Sequence, residues 1–451
     1  MPLDTLRETR RRWNCFSKVD QLGAFDFYTY TVSLDAIQPA ALSEAQQCLA
    51  SLASDPRQLT LDEFRLIDTP MSLAVHEYTH FVDASSTLWG LRHLKLLDGA
   101  NRAYGNPLGE EVFPPAKLFF DHVRSIRWPE YYTERYPLGD HTRRPWSAEV
   151  TGGRVFDASG KISRRPIVFV RFGDNSAKPI VRSPLSAVSV LEASAFGQEL
   201  MSRMRLASAL REDVRLVESR EMTRQVLDYI YHQELTEYSV CAHLFANQQV
   251  CTDAAIVYAC VALLARRALN LPVAALSILT ERIGPVLEEC LQWDPVSEAT
   301  ALIRDGLAAH DIGAIFYVLV CCLPANSHTS QNALLAGLQS AILRFGLDEK
   351  TVKGWADAEA EHAGEELSRS PVTAIRTLAA AGLSNYRAIS WQEQGLRMTG
   401  LHLPSVVLGD LSLAQPFANP HNVLLQYDVE RGYDDFVKGQ IWIEKFADAC
   451  F

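Results

Sequence analysis

The chain has 451 residues, of which 48% are hydrophobic and 22% charged, with a formal net charge of −11. This composition argues against a mainly disordered chain, and the acidic balance argues against a protein that neutralises nucleic-acid phosphates. The nine cysteines include no C-x-x-C pair and several lie in apolar runs, so they read as reduced core thiols and not as a disulfide frame or a zinc ribbon.

Length alone suggests two or three domains. The N-terminus, "MPLDTLRETRRRWNCF", has no apolar core of the secretory type. The longest apolar stretches, Ala254 to Ala265 and Gly313 to Leu323, are too short to span a bilayer. The expectation is a cytoplasmic protein with neither membrane nor nucleic acid as partner. The basic clusters Arg10 to Arg12 and Arg164-Arg165 read as solvated surface.

In chain order, "GAFDFYTYTVSL" (Gly23 to Leu34) alternates aromatic or β-branched residues with others and predicts a strand. Ala40 to Ala53 predicts a helix, and Leu61 to Ile67 a short helical piece. Asp68-Thr69-Pro70 carries a helix-start signature, a capping residue followed by proline in the first turn. The helix is expected from about Met71 through "SLAVHEYTHFVDASSTLWGLRHLKLL", with Gly90 as a break. Residues 104 to 150, rich in Pro, Gly, Tyr and Trp, read as irregular. Two hairpins follow, around Ala158-Ser159-Gly160 and Asp174-Asn175. A long helix is expected from Pro184 to about Arg211. Beyond Glu218 nearly everything reads as helix, including Gln225 to Asn247, Thr252 to Asn270, Ile312 to Leu323 and Gln331 to Phe345. From about Ser390 the pattern is mixed. The predicted fold class is α+β, divided into a region 1–213 with small β-hairpins and a mainly α-helical region 214–451.

His76-Glu77-Tyr78-Thr79-His80 is an H-E-x-x-H sequence inside a predicted helix, with Leu73, Ala74, Val75, Phe81 and Val82 around it. Residues i and i+4 share one helical face one turn apart, so both imidazoles reach one metal ion. The carboxylate beside the first histidine then points at a water on that metal, whose pKa the metal lowers, and serves as the general base.

In this motif the chain resembles the zincin metallopeptidases. The resemblance is confined to the H-E-x-x-H helix and its surroundings. It implies a Zn2+ site with His76 and His80 as ligands, Glu77 as base, a third protein ligand and a water in the open position. The metzincin extension fails, because its Gly and final ligand places hold Asp83 and Ser86. The gluzincin alternative puts a glutamate on a later helix. The best candidate is Glu192, the only charge between Ser183 and Gln198 in "SPLSAVSVLEASAFGQ". A carboxylate in such apolar sequence is costly unless paired or bound to metal. Glu199, Glu234 and Glu237 remain rivals for that place. Asp83, on the ligand face, reads either as a group that orients an imidazole or as a helix-surface residue. Tyr231, His232, Tyr238 and His243, expected on one helix, are candidates for stabilising an oxyanion.

On this resemblance the region 1–213 is the zincin-like catalytic part. The expected activity is that of a zinc-dependent metallopeptidase acting on a protein or peptide, with a regulatory protein partner or a conformational change controlling access. Two alternatives stand beside it: a zinc hydrolase of a non-peptide amide or ester, and a scaffold or binding protein with a vestigial metal site.

Overall fold

A computed structural model describes residues 22–104, 113–137, 144–156, 160–174, 176, 178–437 and 439. The Arg10 to Arg12 cluster, Cys15, Cys450 and the hairpin apices at Ala158-Ser159 and Asn175 lie outside them. The fold is α+β, with two small sheets and a large helical part. The chain divides into two compact units that are interleaved along the sequence. Met1–Arg124, Gln198–Arg220 and Glu359–Phe451 form one, and Ser125–Gly197 and Glu221–Ala358 form the other.

In the first unit, Gly23 to Leu34 is a hairpin and not one strand. Ala24–Asp26 pairs antiparallel with Thr31–Leu34. The turn is made by Asp26, whose Oδ1 accepts the Tyr28 N–H at 2.8 Å, and by Tyr30 at a φ of 54°. An aspartate that bonds the backbone two residues on competes with strand continuation. Thr31–Leu34 is extended on its other side by a parallel strand, Val406–Leu408, with Val32 opposite Val406, and Leu413–Ala414 closes the sheet.

Leu61–Ser85 is one continuous helix, so the start expected at Asp68-Thr69-Pro70 is not there. The true cap is a capping box. The Thr60 hydroxyl accepts the Glu63 N–H at 3.2 Å, and a Glu63 carboxylate oxygen accepts the Thr60 N–H at 2.9 Å. Two donors left over at the helix start are thereby satisfied, typically worth ~1 kcal/mol. Pro70 sits inside the helix and removes one backbone donor, yet burial of Phe64, Ile67, Met71, Ala74 and Val75 carries the helix through it. The helix ends at Ser85, and Leu88–Tyr104 begins after a two-residue break, with the Thr87 hydroxyl accepting the Gly90 N–H at 3.0 Å. Gly90 is therefore not the break. It allows close approach, since a Cβ there would lie 2.4 Å from the Asp83 carbonyl oxygen.

Within the segment expected to be irregular, Phe113–Ile126 is a helix. It buries Ala116, Phe119, Val123 and Ile126, a one-face spacing, and its prolines occupy the first turn, where no N–H is needed.

In the second unit, Glu134–Arg135, Pro179–Leu185, Ile162–Gly173 and Ser147–Phe156 form an antiparallel sheet in that order. The two predicted hairpins share Ile162–Gly173 as their middle strand. The unit's core includes Ala254–Leu269 and Ile312–Cys321, in which Phe316, Val318 and Leu319 are buried. Burying each such side chain contributes ~1.5–3 kcal/mol. Gln225 to Asn247 is two helices, ending at Ile230 and restarting at Thr236. The Ile230 carbonyl at the end of the first accepts the Ser239 hydroxyl at 3.1 Å and His243 Nε2–H at 3.0 Å from the second. Side chains thus supply the partner that a continued helix would have supplied.

The described cysteines, Cys48, Cys241, Cys251, Cys260, Cys290, Cys321 and Cys322, are free thiols. Among the described residues no single helix is long and apolar enough to cross a membrane.

Candidate metal centre

The H-E-x-x-H residues occupy the C-terminal half of the helix Leu61–Ser85, and Glu192 lies in the first two turns of Ala187–Ala207. Of the motif's two intervening residues, Tyr78 anchors the helix to another segment and Thr79 bonds within the helix. Tyr78 donates its hydroxyl to the Pro404 carbonyl at 2.7 Å, and Thr79 donates to the Val75 carbonyl at 2.7 Å. Both are fully buried. The Tyr78 bond to Pro404 helps fix the rotation of the helix, and so the direction in which the two imidazoles project.

His76 and His80 lie with ring centroids 5.0 Å apart at an interplanar angle of 76°. One ligand atom from each of His76, His80 and Glu192 lies within 4.8 Å of the others, an arrangement that can hold a metal ion. Glu192 is 8% exposed and Glu77 6% exposed. Carboxylates withdrawn from water beside two imidazoles make a donor set that a cation can bridge. The lone charge in "SPLSAVSVLEASAFGQ" is thus the residue that joins the two histidines.

Glu199 has a different place. Its Oε2 lies 3.0 Å from His76 Nδ1. With the carboxylate oxygen as acceptor, His76 Nδ1–H donates this bond, which leaves Nε2 as the ring nitrogen for a ligand. Glu192 and Glu199 are seven residues apart, two helical turns, and so share a face of one helix. One turn beyond Glu199, Arg203 Nε donates to Asp68 at 3.1 and 3.2 Å, and the Ser72 hydroxyl donates to the same aspartate at 2.9 Å. Burial raises the Asp68 pKa above the ordinary aspartate value, against the lowering effect of Arg203. Asp68 belongs to the Asp68-Thr69-Pro70 segment expected to start a helix, and it lies inside Leu61–Ser85. The available signal was spacing: Asp68, Ser72 and His76 recur every four residues on one side of the helix, as Glu199 and Arg203 do on theirs.

The remaining candidates are placed elsewhere. Glu237 is paired with Arg127 at 2.9 Å, and Glu234 with Arg135 at 3.0 Å. Asp83 is 0% exposed, which removes its reading as a surface residue. Tyr231 and His232 follow the helix Glu212–Ile230, whereas Tyr238 and His243 lie on Thr236–Gln249, so the four do not share a helix. His243 is a core residue: it stacks on Trp146 at 5.7 Å and contacts Phe172 at 4.8 Å while capping Ile230. Burial lowers its pKa to about 4, which keeps it neutral. Tyr231 is held between Trp146 and the Arg144 guanidinium.

Comparison of the chain with protein-family models, with curated proteins and with solved structures finds no match.

Proposed function

We propose that this protein is a zinc-dependent hydrolase and, within that class, a metallopeptidase. The observation that carries the reading is the meeting of His76, His80 and Glu192 with a glutamate, Glu77, in the same helical turn as the first histidine. Two imidazoles and one carboxylate suit zinc, and a three-residue set leaves a coordination place open, as catalytic zinc sites do. The residues therefore fit the ion, with His76, His80 and Glu192 as its holders. When bound there, zinc supplies Lewis acidity and brings deprotonation of water into the neutral pH range.

The chain's own groups do the rest. Glu199 holds His76 in one tautomer and one orientation. Glu77 is the base: its carboxylate accepts the proton of the attacking water and returns it to the leaving amine. Its burial keeps bulk water from competing for that proton. A peptide substrate gives the same base and the same donor set a bond to cleave whose leaving nitrogen needs a proton.

The test is to incubate zinc-loaded protein with a peptide library and with a panel of small amides and esters, beside Glu77→Gln. New peptide ends with the wild type and none with the variant support the peptidase. Turnover confined to the small amides or esters replaces it with a non-peptide hydrolase. No turnover of either class overturns the hydrolase reading.

A further inference from the structure

Six residues before His76, the helix Leu61–Ser85 contains Pro70. Proline has no N–H to give the Leu66 carbonyl, so the helix lacks one backbone bond between its first turns and the half that carries the motif. Side chains span that gap. Asp68, before the proline, accepts the hydroxyl of Ser72, after it, at 2.9 Å. Both Asp68 oxygens also accept from Arg203 Nε–H, at 3.2 and 3.1 Å.

Arg203 lies one turn after Glu199 on Ala187–Ala207, and Glu199 bonds His76 at 3.0 Å. Two bridges, Asp68 to Arg203 and His76 to Glu199, therefore join one pair of helices, and all four residues belong to the first unit. The contacts reverse in chain order, so the helices run antiparallel along this line. A single bridge leaves two helices free to pivot about it. A second one, eight residues or ~12 Å away along the motif helix, removes that freedom.

The Asp68–Arg203 pair is poorly suited to stabilising the fold as such. The Arg203 and Asp68 side chains are 19% and 12% exposed. Burial is the largest influence on the Asp68 carboxyl and raises its pKa in spite of Arg203. Desolvation of such a pair commonly matches or exceeds its attraction, and apolar side chains of similar volume replace it without loss of stability. What the pair imposes is one geometry, because the carboxylate must meet Nε–H whereas apolar surfaces can slide.

We propose that Asp68 and Arg203 are positioning residues for the metal centre: their bridge beside the Pro70 gap fixes the register of the two helices and so holds Glu199 against His76. The proposal rests on the metal reading of His76, His80 and Glu192, and it can fail while that reading holds.

The test compares two variants of the full chain with the wild type. The readouts are zinc affinity by competition with a chromogenic chelator, the visible spectrum of the Co2+-loaded protein, and the melting temperature without metal. Asp68→Leu/Arg203→Met replaces the ion pair by apolar side chains. It should melt at or above the wild-type temperature, yet bind zinc at least about fivefold more weakly and show an altered Co2+ spectrum. Asp68→Asn removes the charge but keeps an oxygen for both Arg203 Nε–H and the Ser72 hydroxyl. It should melt lower, because half of a buried ion pair is gone, yet keep its zinc affinity within about twofold and the wild-type spectrum. A merely structural pair gives the opposite pattern, with zinc affinity following melting temperature. The proposal is overturned by a double variant that melts below the wild type or holds zinc within about twofold of it, or by an Asp68→Asn protein that loses as much zinc affinity as the double variant. A wild type that binds neither Zn2+ nor Co2+ overturns the metal centre itself, and this proposal with it.

Discussion

Replacing Glu199 by alanine leaves His76, His80 and Glu192, the cluster that could hold a metal, in place and removes only the acceptor at His76 Nδ1, 3.0 Å away. The two side chains are 17% and 21% exposed, so the bond is only lightly screened by solvent. Loss of such an outer partner typically lowers metal affinity 10- to 100-fold, which is about 1.4–2.7 kcal/mol. The same range follows from the bond itself, since a hydrogen bond to a charged group contributes about 1.5–3 kcal/mol. Glu199→Gln should lose less, because its amide oxygen still accepts the N–H while the charge is gone. The assay is competition for zinc against a chromogenic chelator at pH 7, with circular dichroism confirming that each variant is folded. A folded Glu199→Ala that holds zinc within twofold of the wild type would refute the reasoning, and would show that packing alone orients His76.

Two further expectations concern the fold around the site. His243 and His93 are buried, and burial lowers each pKa from the ordinary 6.5 to about 4. Between those values the unfolded chain binds more protons than the folded one, so stability is complete above pH 6.5 and is lost as pH falls towards 4, by up to ~3 kcal/mol for each histidine. Urea midpoints measured from pH 7 to pH 4.5 should fall accordingly, with a shallower slope in His243→Phe, and a flat profile would count against both assignments. Gly197 lies between Glu192 and Glu199 on their helix, and a Cβ there would be 2.7 Å from the Tyr258 carbonyl oxygen and 2.8 Å from the Ala262 Cβ. Gly197→Ala should therefore cost ~1–3 kcal/mol in denaturant unfolding and weaken zinc binding by displacing that helix. Wild-type values for both would mean the helix can yield without cost.

Local chemistry was legible in the residues and long-range pairing was not. The i, i+4 histidines announce a shared face, and one carboxylate in sixteen otherwise uncharged residues announces Glu192. Glu199 could be read only as a rival ligand, because spacing does not say which imidazole nitrogen a carboxylate meets. The capping box at Thr60 was present in the sequence, but the Asp-Thr-Pro signature nearer the motif drew the helix start away from it. The break after Ile230 has no local breaker, since residues 239 and 243 cap its carbonyl from the next helix. Pairing of Val406–Leu408 with Thr31–Leu34 joins strands of three and four residues from opposite ends of the chain, and such short parallel strands leave no pattern to read. Phe113–Ile126 was hidden by its prolines, which are breakers inside a helix but harmless in its first turn.

The most direct test of the metal centre is zinc content by elemental mass spectrometry on purified wild type, His76→Ala and Glu192→Ala, each supplied with zinc and then dialysed. The expected result is about one zinc per wild-type chain and near none in either variant. A metal-free wild type, or a Glu192→Ala protein that keeps its full zinc, would contradict the assignment of His76, His80 and Glu192 as one site.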